Sequence, residues 1–436
     1  MPDRFARQLS LLLPPIAVLV VGYGVRGVDD RGEVTVAWSN LQSALALSSL
    51  LILVSLVWTV ADLRSEPILF PTCAMLLATG LVLMHRLQPD IGGPDSTLGD
   101  LSGRHTFYVV LSLIVMTATS RWFPFWPALR RYKYLTVGGS IGLLLVTLVA
   151  GRERYGAKLW IGAGPIEIQT SEIIKIGLVL FLAAYLHEKH EVMNGSWRLW
   201  RLSLPPLPYL IPLAGILVVA LLMVVAMNDL GTALLLFATA LSMLYVALRK
   251  VTYVIAGLGA FLGGATAAYL TFDRVGTRIQ NWIDPWSDPY VAGYQQIQAD
   301  YAMSAGGLFG AGLGQGEPWR IPAVHTDYIF AVLVEEAGLV TGLSLIGLYV
   351  VIAVRGLSIS TRSDSLYERY LAVGLTATLS IQAFVILGGV LRLMPLTGVT
   401  LPFASAGGSS LLMNALVMGM LMNLSHRQNS PVPGNG

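Results

Sequence analysis

The chain has 436 residues, of which 55% are hydrophobic and only 12% charged, with a net charge of +3 and a mean hydropathy of +0.67. A soluble domain carries about 25% charge, so this composition excludes a soluble enzyme and places the chain in a bilayer, with no nucleic-acid partner expected. The single cysteine, Cys73, has no second thiol to pair with, so helix packing alone must hold the fold.

Apolar runs fall near residues 9–24, 38–61, 67–85, 107–121, 134–150, 171–187, 207–227, 229–248, 251–271, 328–356, 368–390 and 406–424. Extended by a few residues at their ends where short, these runs read as membrane helices, which gives an all-α polytopic membrane protein with about 12 transmembrane helices. Pro14 and Pro15 interrupt the first run and no small-residue cleavage site follows, so it reads as a span and not as a signal peptide. With a cytoplasmic N-terminus, the inner loops carry roughly 16 Lys/Arg against 7 Asp/Glu and the outer loops roughly 11 against 15. That asymmetry predicts both termini inside and a large extracytoplasmic loop at 272–327.

Four outer regions break the apolar pattern: 86–106, 151–170, 272–327 and 391–405. The third is far longer than a helix connection needs, yet Trp282, Trp286, Tyr290, Tyr294 and Tyr301 make it too aromatic for disorder. An ordered loop on the outer surface, without a clear helix or strand pattern, is the expectation. Within it, "SAGGLFGAGLGQGEPW" lacks the strand before and the Gly-Lys-Ser/Thr after that a nucleotide loop needs, so its glycines predict close-packed or re-entrant backbone. The segment 391–405 is apolar but rich in Pro and Gly, and reads as a loop dipping into the outer leaflet. "HEKH" at 187–190 places two histidines one turn apart without a third ligand, so a solvated helix end outweighs a metal site.

Charges gather where helices meet the outer face. "GRERYGAKLWIGAGPIEIQTSEIIK" leads into a helix with Ser171 as the expected N-cap and Glu172 and Lys175 on one face, and Asp229 in "NDLGTALLLF" stands at a helix junction. "RIPAVHTDYIFAVLVEEAG" brings Asp327 to the mouth of a helix and Glu335 and Glu336 two turns inside it. By itself Asp327 is read equally well as a helix cap or a catalytic group, and the two glutamates as intramembrane pairing groups with Arg or His partners.

In their joint order, "GAKLWI", "IQTSEIIK", "NDLGTALLL", "GYQQIQADYAMSAGGLFGAGLGQG", "HTDYIFAVLVEEAG" and "MPLTGVTLPFASAGGSS" resemble motifs of the SEDS family, the RodA/FtsW group of peptidoglycan glycosyltransferases. The resemblance covers about residues 107–424. Thr170, Asn228, Ala323, Ile386 and Ala406 depart from its usual residues, and none of them replaces an ionisable group the chemistry needs. It implies a core of about ten spans, with two extra helices at the N-terminus, so the chain divides into 1–106, the 107–424 core and a 425–436 tail.

The implied activity is polymerisation of lipid II at the outer face of the bacterial cytoplasmic membrane, in elongation or division. Asp327 matches the family's proposed catalytic aspartate. Lys175, with Glu172 as its ion-pair partner, and Arg152, Arg154, Lys158 and Arg392 are candidates for the leaving pyrophosphate, and Trp160 for a sugar or the lipid. His325, Thr326 and Ser405 lie in motifs expected to touch substrate. Implied partners are lipid II, a class B penicillin-binding protein supplying the transpeptidase, and other elongation or division proteins. No cofactor is required by the reading, and a role for a divalent cation, Mg2+ or Mn2+, stays open. A flippase or transporter of the lipid-linked precursor is the alternative, which would need ionisable residues along both leaflets.

Overall fold

A backbone in lipid must pair every N–H and C=O within its own segment, so long apolar runs become helices. The computed structural model describes residues 2–430 apart from 29–33, 37, 93–95, 97, 124–125, 155–156, 164–165, 195–196, 200–201 and 205–206. Residues 431–436, the end of the expected tail, lie outside the described residues, as do Trp200 and Arg201.

The chain opens with α1 (Pro2–Gly24), a hairpin of β1 (Val25–Val28) and β2 (Val34–Val36), then α2 (Trp38–Val60), α3 (Leu69–Ile91) and α4 (Leu101–Trp122). A short α5 (Trp126–Arg131) and α6 (Lys133–Ala150) lead to an antiparallel sheet of β3 (Arg152–Arg154), β4 (Ala157–Ala163) and β5 (Ile166–Gln169). This sheet feeds α7 (Thr170–Asn194); the hairpin β6 (Trp197–Leu199) and β7 (Leu202–Leu204) precedes α8 (Leu207–Ala226), α9 (Leu230–Leu248) and α10 (Val251–Thr271). Next come α11 (Asp273–Ile283), α12 (Tyr294–Gly306), α13 (Ile329–Arg362), α14 (Leu366–Val390) and α15 (Gly408–Asn429). Twelve of these helices are long and apolar enough to cross a membrane: all except α5, α11 and α12. Ile211, Leu222, Ile255 and Leu262 on α8 and α10 are 64–66% exposed, as expected for side chains whose solvent is lipid.

The chain forms two compact units. The first comprises Met1–Arg121, Thr277–Arg355 and Gln382–Gly436; the second comprises Trp122–Gly276 and Gly356–Ile381. In the first, α1 packs on α2 and α3, and Tyr23 stacks on His85 with ring centroids 4.3 Å apart. α15 crosses α4 closely enough that a Cβ on Gly419 would sit 2.8 Å from the Met116 carbonyl, and Asn423 donates to the Ser120 carbonyl there. In the second, α7 is the buried centre, packed by α6, α8 and α9.

Three local expectations change. The 272–327 region holds α11, α12 and two 3-10 turns, because its aromatic and amide side chains find partners that a pattern search does not see. The 151–170 region is a sheet, with strands of three to seven residues, too short to stand out in sequence. Ser171 is not the cap of α7, which starts at Thr170 directly from β5; Gln169 donates to the Ser171 hydroxyl at 3.0 Å instead. Asp229 does cap α9, accepting from the Thr232 amide at 3.0 Å.

Candidate active site

The glycine-rich stretch packs against a break in α13. Gly338 there has φ +83°, and a Cβ on it would lie 2.3 Å from the Leu308 carbonyl, so only glycine lets the two backbones meet. At Gly310, φ +85°, the corresponding gap to the Glu336 carbonyl is 2.2 Å. Glu335 and Glu336 then hold the stretch in place. Glu335 accepts from the Glu317 amide at 2.9 Å, and Glu336 from the Gly314 amide at 3.1 Å while pairing with Arg86 at 2.9 Å. Both carboxylates are buried; Glu336 has the expected arginine partner, Arg86 on α3, whereas Glu335 is held by a backbone amide instead.

Asp327 is reached from this anchor by a tight turn. Ala323, at φ +50°, accepts from the amides of Thr326 and Asp327, both at 3.1 Å. The 391–407 segment latches onto the same turn: Ser405 donates to the Thr326 carbonyl at 2.6 Å and accepts from the Leu401 amide at 3.0 Å, while the Ala406 amide donates to the His325 carbonyl at 2.9 Å. Ala323 and Ala406, two of the departures from the family pattern, therefore act through backbone atoms that any residue supplies. The segment is itself clamped by Tyr349, which donates to the Pro402 carbonyl at 2.6 Å, and Gln382, which donates to that of Thr400 at 2.9 Å.

The turn aims Asp327 into a cavity of about 180 Å³. Arg278, Asn281 and Trp282 fall at i, i+3 and i+4 on α11 and so share the face that lines it. Tyr328 donates to Gln296 at 2.9 Å, Gln296 donates to Asp300 at 3.0 Å, Arg392 pairs with Asp300 at 3.3 Å, and the Trp282 indole donates to the Arg392 carbonyl at 2.8 Å. This chain ties α11, α12, α13 and the 391–407 segment into one wall. Gly398, at φ +77°, completes the wall; a Cβ on it would come within 3.8 Å of the Asp327 carboxylate.

The Asp327 carboxylate accepts no hydrogen bond from a first-turn amide of α13 among the described residues, so helix capping does not occupy it. Burial pushes its carboxyl up to about 6, against the Thr326 hydroxyl and the Arg278 charge, which both favour the anion. Burial likewise lowers His325, with Arg104 acting in the same direction, so the neutral imidazole is favoured. Arg278 donates to the Thr397 carbonyl at 3.2 Å.

The other candidates sort by unit. His325, Thr326, Ser405 and Arg392 share the first unit with Asp327. Ser405 is buried, with its hydroxyl engaged by backbone, and Arg392 is engaged by Asp300 and Trp282; neither lines the cavity. Trp160, Lys175, Glu172, Arg152, Arg154 and Lys158 belong to the second unit. There, a bulge between Arg152 and Glu153 sets Arg152 opposite Trp160 and Glu153 opposite Lys158, so these side chains share one sheet face. Arg152 and Lys158 are exposed, Trp160 is half-buried, and Arg152 reaches Glu167 at 3.4 Å. Arg154 holds the next register position, opposite Ala157. Lys175 and Glu172 are buried at the head of α7 as an ion pair of 2.6 Å. Residue patterns missed Arg278, Gln296 and Tyr328; the amide-rich "GYQQIQADY" was the available signal.

The sequence profile of the FtsW, RodA and SpoVE family, described as a cell cycle protein, matches residues 67–430. The chain belongs to this family. Ten of the twelve candidate spans lie inside the match, and α1 and α2 precede it. A relative named peptidoglycan glycosyltransferase RodA, from Mycobacterium leprae (strain TN), is 36% identical over 443 residues, covering 99% of this chain and 92% of the relative. That alignment takes in the region of α1 and α2 as well. Among solved structures, a chain of a peptidoglycan synthase complex that coordinates polymerization and crosslinking superposes with a TM-score of 0.68 at 26% identity, covering 85% of this chain and 100% of that one. The rod shape determining protein RodA of Thermus thermophilus gives a TM-score of 0.60 at 26% identity, with 85% and 99% covered.

Proposed function

We propose that this multi-pass membrane protein is a peptidoglycan glycosyltransferase that polymerises lipid II at the outer face of the bacterial cytoplasmic membrane, in elongation or division. The observation that carries the reading is the Asp327 carboxylate: free of capping, raised by burial, and open to a cavity beside Arg278. A sugar 4-hydroxyl is a poor nucleophile at neutral pH. As it attacks the anomeric carbon of the lipid-linked chain, its proton passes to Asp327, and the glycosidic C–O bond to pyrophosphate breaks with the electron pair leaving on the undecaprenyl pyrophosphate. A base of this kind contributes typically 10²- to 10⁴-fold.

Arg278, which lines the cavity with Asp327, is the cation proposed to meet developing charge, and its charge also favours the Asp327 carboxylate. Lys175 is assigned to the pyrophosphate on the family motif it matches, with Glu172 holding it. Arg152, Lys158 and Trp160 share a face suited to a phosphate and a sugar ring, and Arg154 remains a candidate on register alone. His325 and Thr326 present Asp327; Ser405 and Arg392 act as positioning residues. The cavity is below the roughly 300–1,000 Å³ of ordinary ligand sites, which suits the reacting end of a long substrate. The partner is a class B penicillin-binding protein, supported by the likeness to a chain from a synthase complex.

The test is to supply labelled lipid II to the purified chain together with a class B transpeptidase, and in parallel to score flipping of fluorescent lipid II in vesicles. Glycan strands of many repeats without flipping are expected. Flipping without polymer would replace the reading by the transporter alternative.

A further inference from the structure

The second unit carries a cavity that this chemistry leaves unused. It lies at the far end of α7, where His187, Glu188, His190 and Glu191 stand about 20 Å along the helix from Lys175. Its volume is about 730 Å³, and Arg130, Arg131 and Lys133 enter it from α5 and the start of α6. Lys133 is buried and paired with Glu188, which also holds Lys189 at 2.7 Å. One carboxylate is thus shared by two lysines. Arg130 and Arg131 are exposed and have no carboxylate partner among the described residues.

Arg130 is nonetheless fixed. Its guanidinium lies over the Tyr367 ring at 5.8 Å and donates to His187 Nε2 at 2.6 Å. Because arginine only donates, His187 accepts there and is held as the neutral tautomer. His190 is engaged by the Tyr370 hydroxyl at 2.7 Å. The two histidines of "HEKH" therefore build the pocket wall. Ala184, Val192 and Leu366 give the same cavity an apolar side. Exposed Tyr132 and Tyr134 flank Lys133 in sequence, and aromatics of this kind are common at a membrane-water interface.

We propose that this pocket binds the phosphate headgroup of an anionic phospholipid, in the leaflet that the charge asymmetry assigns to the cytoplasm. Arg130, Arg131 and Lys133 outnumber the carboxylates of Glu188 and Glu191 in the lining, and this positive surplus favours an anion, with the exposed aromatics setting it at headgroup depth. The apolar side and a volume far larger than one phosphate suit an amphiphile. Free phosphate shares the headgroup's charge chemistry but has nothing to place on the apolar side.

Native mass spectrometry of the full chain in detergent tests this, with dioleoyl-phosphatidylglycerol and dioleoyl-phosphatidylcholine as probes and inorganic phosphate as competitor. Phosphatidylglycerol should bind in preference to phosphatidylcholine and resist millimolar phosphate. The pair Arg130→Gln with Arg131→Gln should weaken it by about 30-fold. Arg7→Gln with Arg320→Gln, removing two charges from the first unit, should leave it within about twofold. Arg130→Lys with Arg131→Lys should keep most of the binding, which separates charge loss from misfolding. Equal binding of both lipids, displacement by phosphate, or equal losses in the two Gln pairs would overturn the proposal.

Discussion

Asp327 joins two properties that a base needs and a helix cap does not: a raised carboxyl and an open face. Its folded-state value of about 6 lies above the ordinary 3.8, so the folded protein binds the extra proton between about pH 4 and 6. The stability this contributes is present below pH 4 and lost as pH rises through about 6. A neutral Asp327→Asn side chain escapes that loss. It should raise stability at pH 7.5 by on the order of 1 to 2 kcal/mol, with little effect at pH 4, as thermal midpoints in detergent at the two pH values would show. The polymerisation rate of the unmodified enzyme should rise through about pH 6 and then level off, since only the carboxylate accepts the proton. A rate independent of pH from 5 to 8 would contradict the assignment.

At the scale of elements, the site is a turn held between two irregular segments. The 307–317 stretch is gripped by Glu335 and Glu336, and the 391–407 segment is latched by Ser405 and Ala406. Ser405→Ala leaves the Thr326 carbonyl and the Leu401 amide without partners in a buried place, at a cost of roughly 2 kcal/mol. Because it acts through the turn, kcat should fall while KM for lipid II changes little. A variant with wild-type kcat would show that the latch does not position Asp327. All twelve spans were legible in sequence because bilayer thickness imposes a length and an apolar character that hydropathy reads directly. Asp327, Glu335, Glu336 and the close-packed glycines were legible because charge and glycine are conspicuous in an apolar chain. The helices α11 and α12, the sheet β3–β5 and the wall residues Arg278, Gln296 and Tyr328 were not. They are fixed by contacts distant in sequence, such as Trp282 with Arg392, which no local period announces.

For the whole molecule, acidic outer loops and basic inner ones predict that the site end faces out. Cys73 is buried, and a Cys73→Ala background removes it as a label. Tyr290→Cys, at an 88% exposed position, should then react with an impermeant maleimide in intact cells, and Arg362→Cys only in opened ones. The reverse pattern would invert the topology. The proposed enzyme, with α1 and α2 ahead of the ten-span family region, needs its catalytic base and its membrane fold to be separable. Asn caps a helix about as well as Asp but cannot take the acceptor's proton. The most direct measurement is therefore glycan-strand formation from lipid II by purified Asp327→Asn protein with the proposed transpeptidase partner, beside its thermal midpoint. Rates should fall by at least about 100-fold in a protein that folds and binds the proposed partner normally; a folded, partner-bound variant making strands at the unmodified rate would rule out Asp327 as the base.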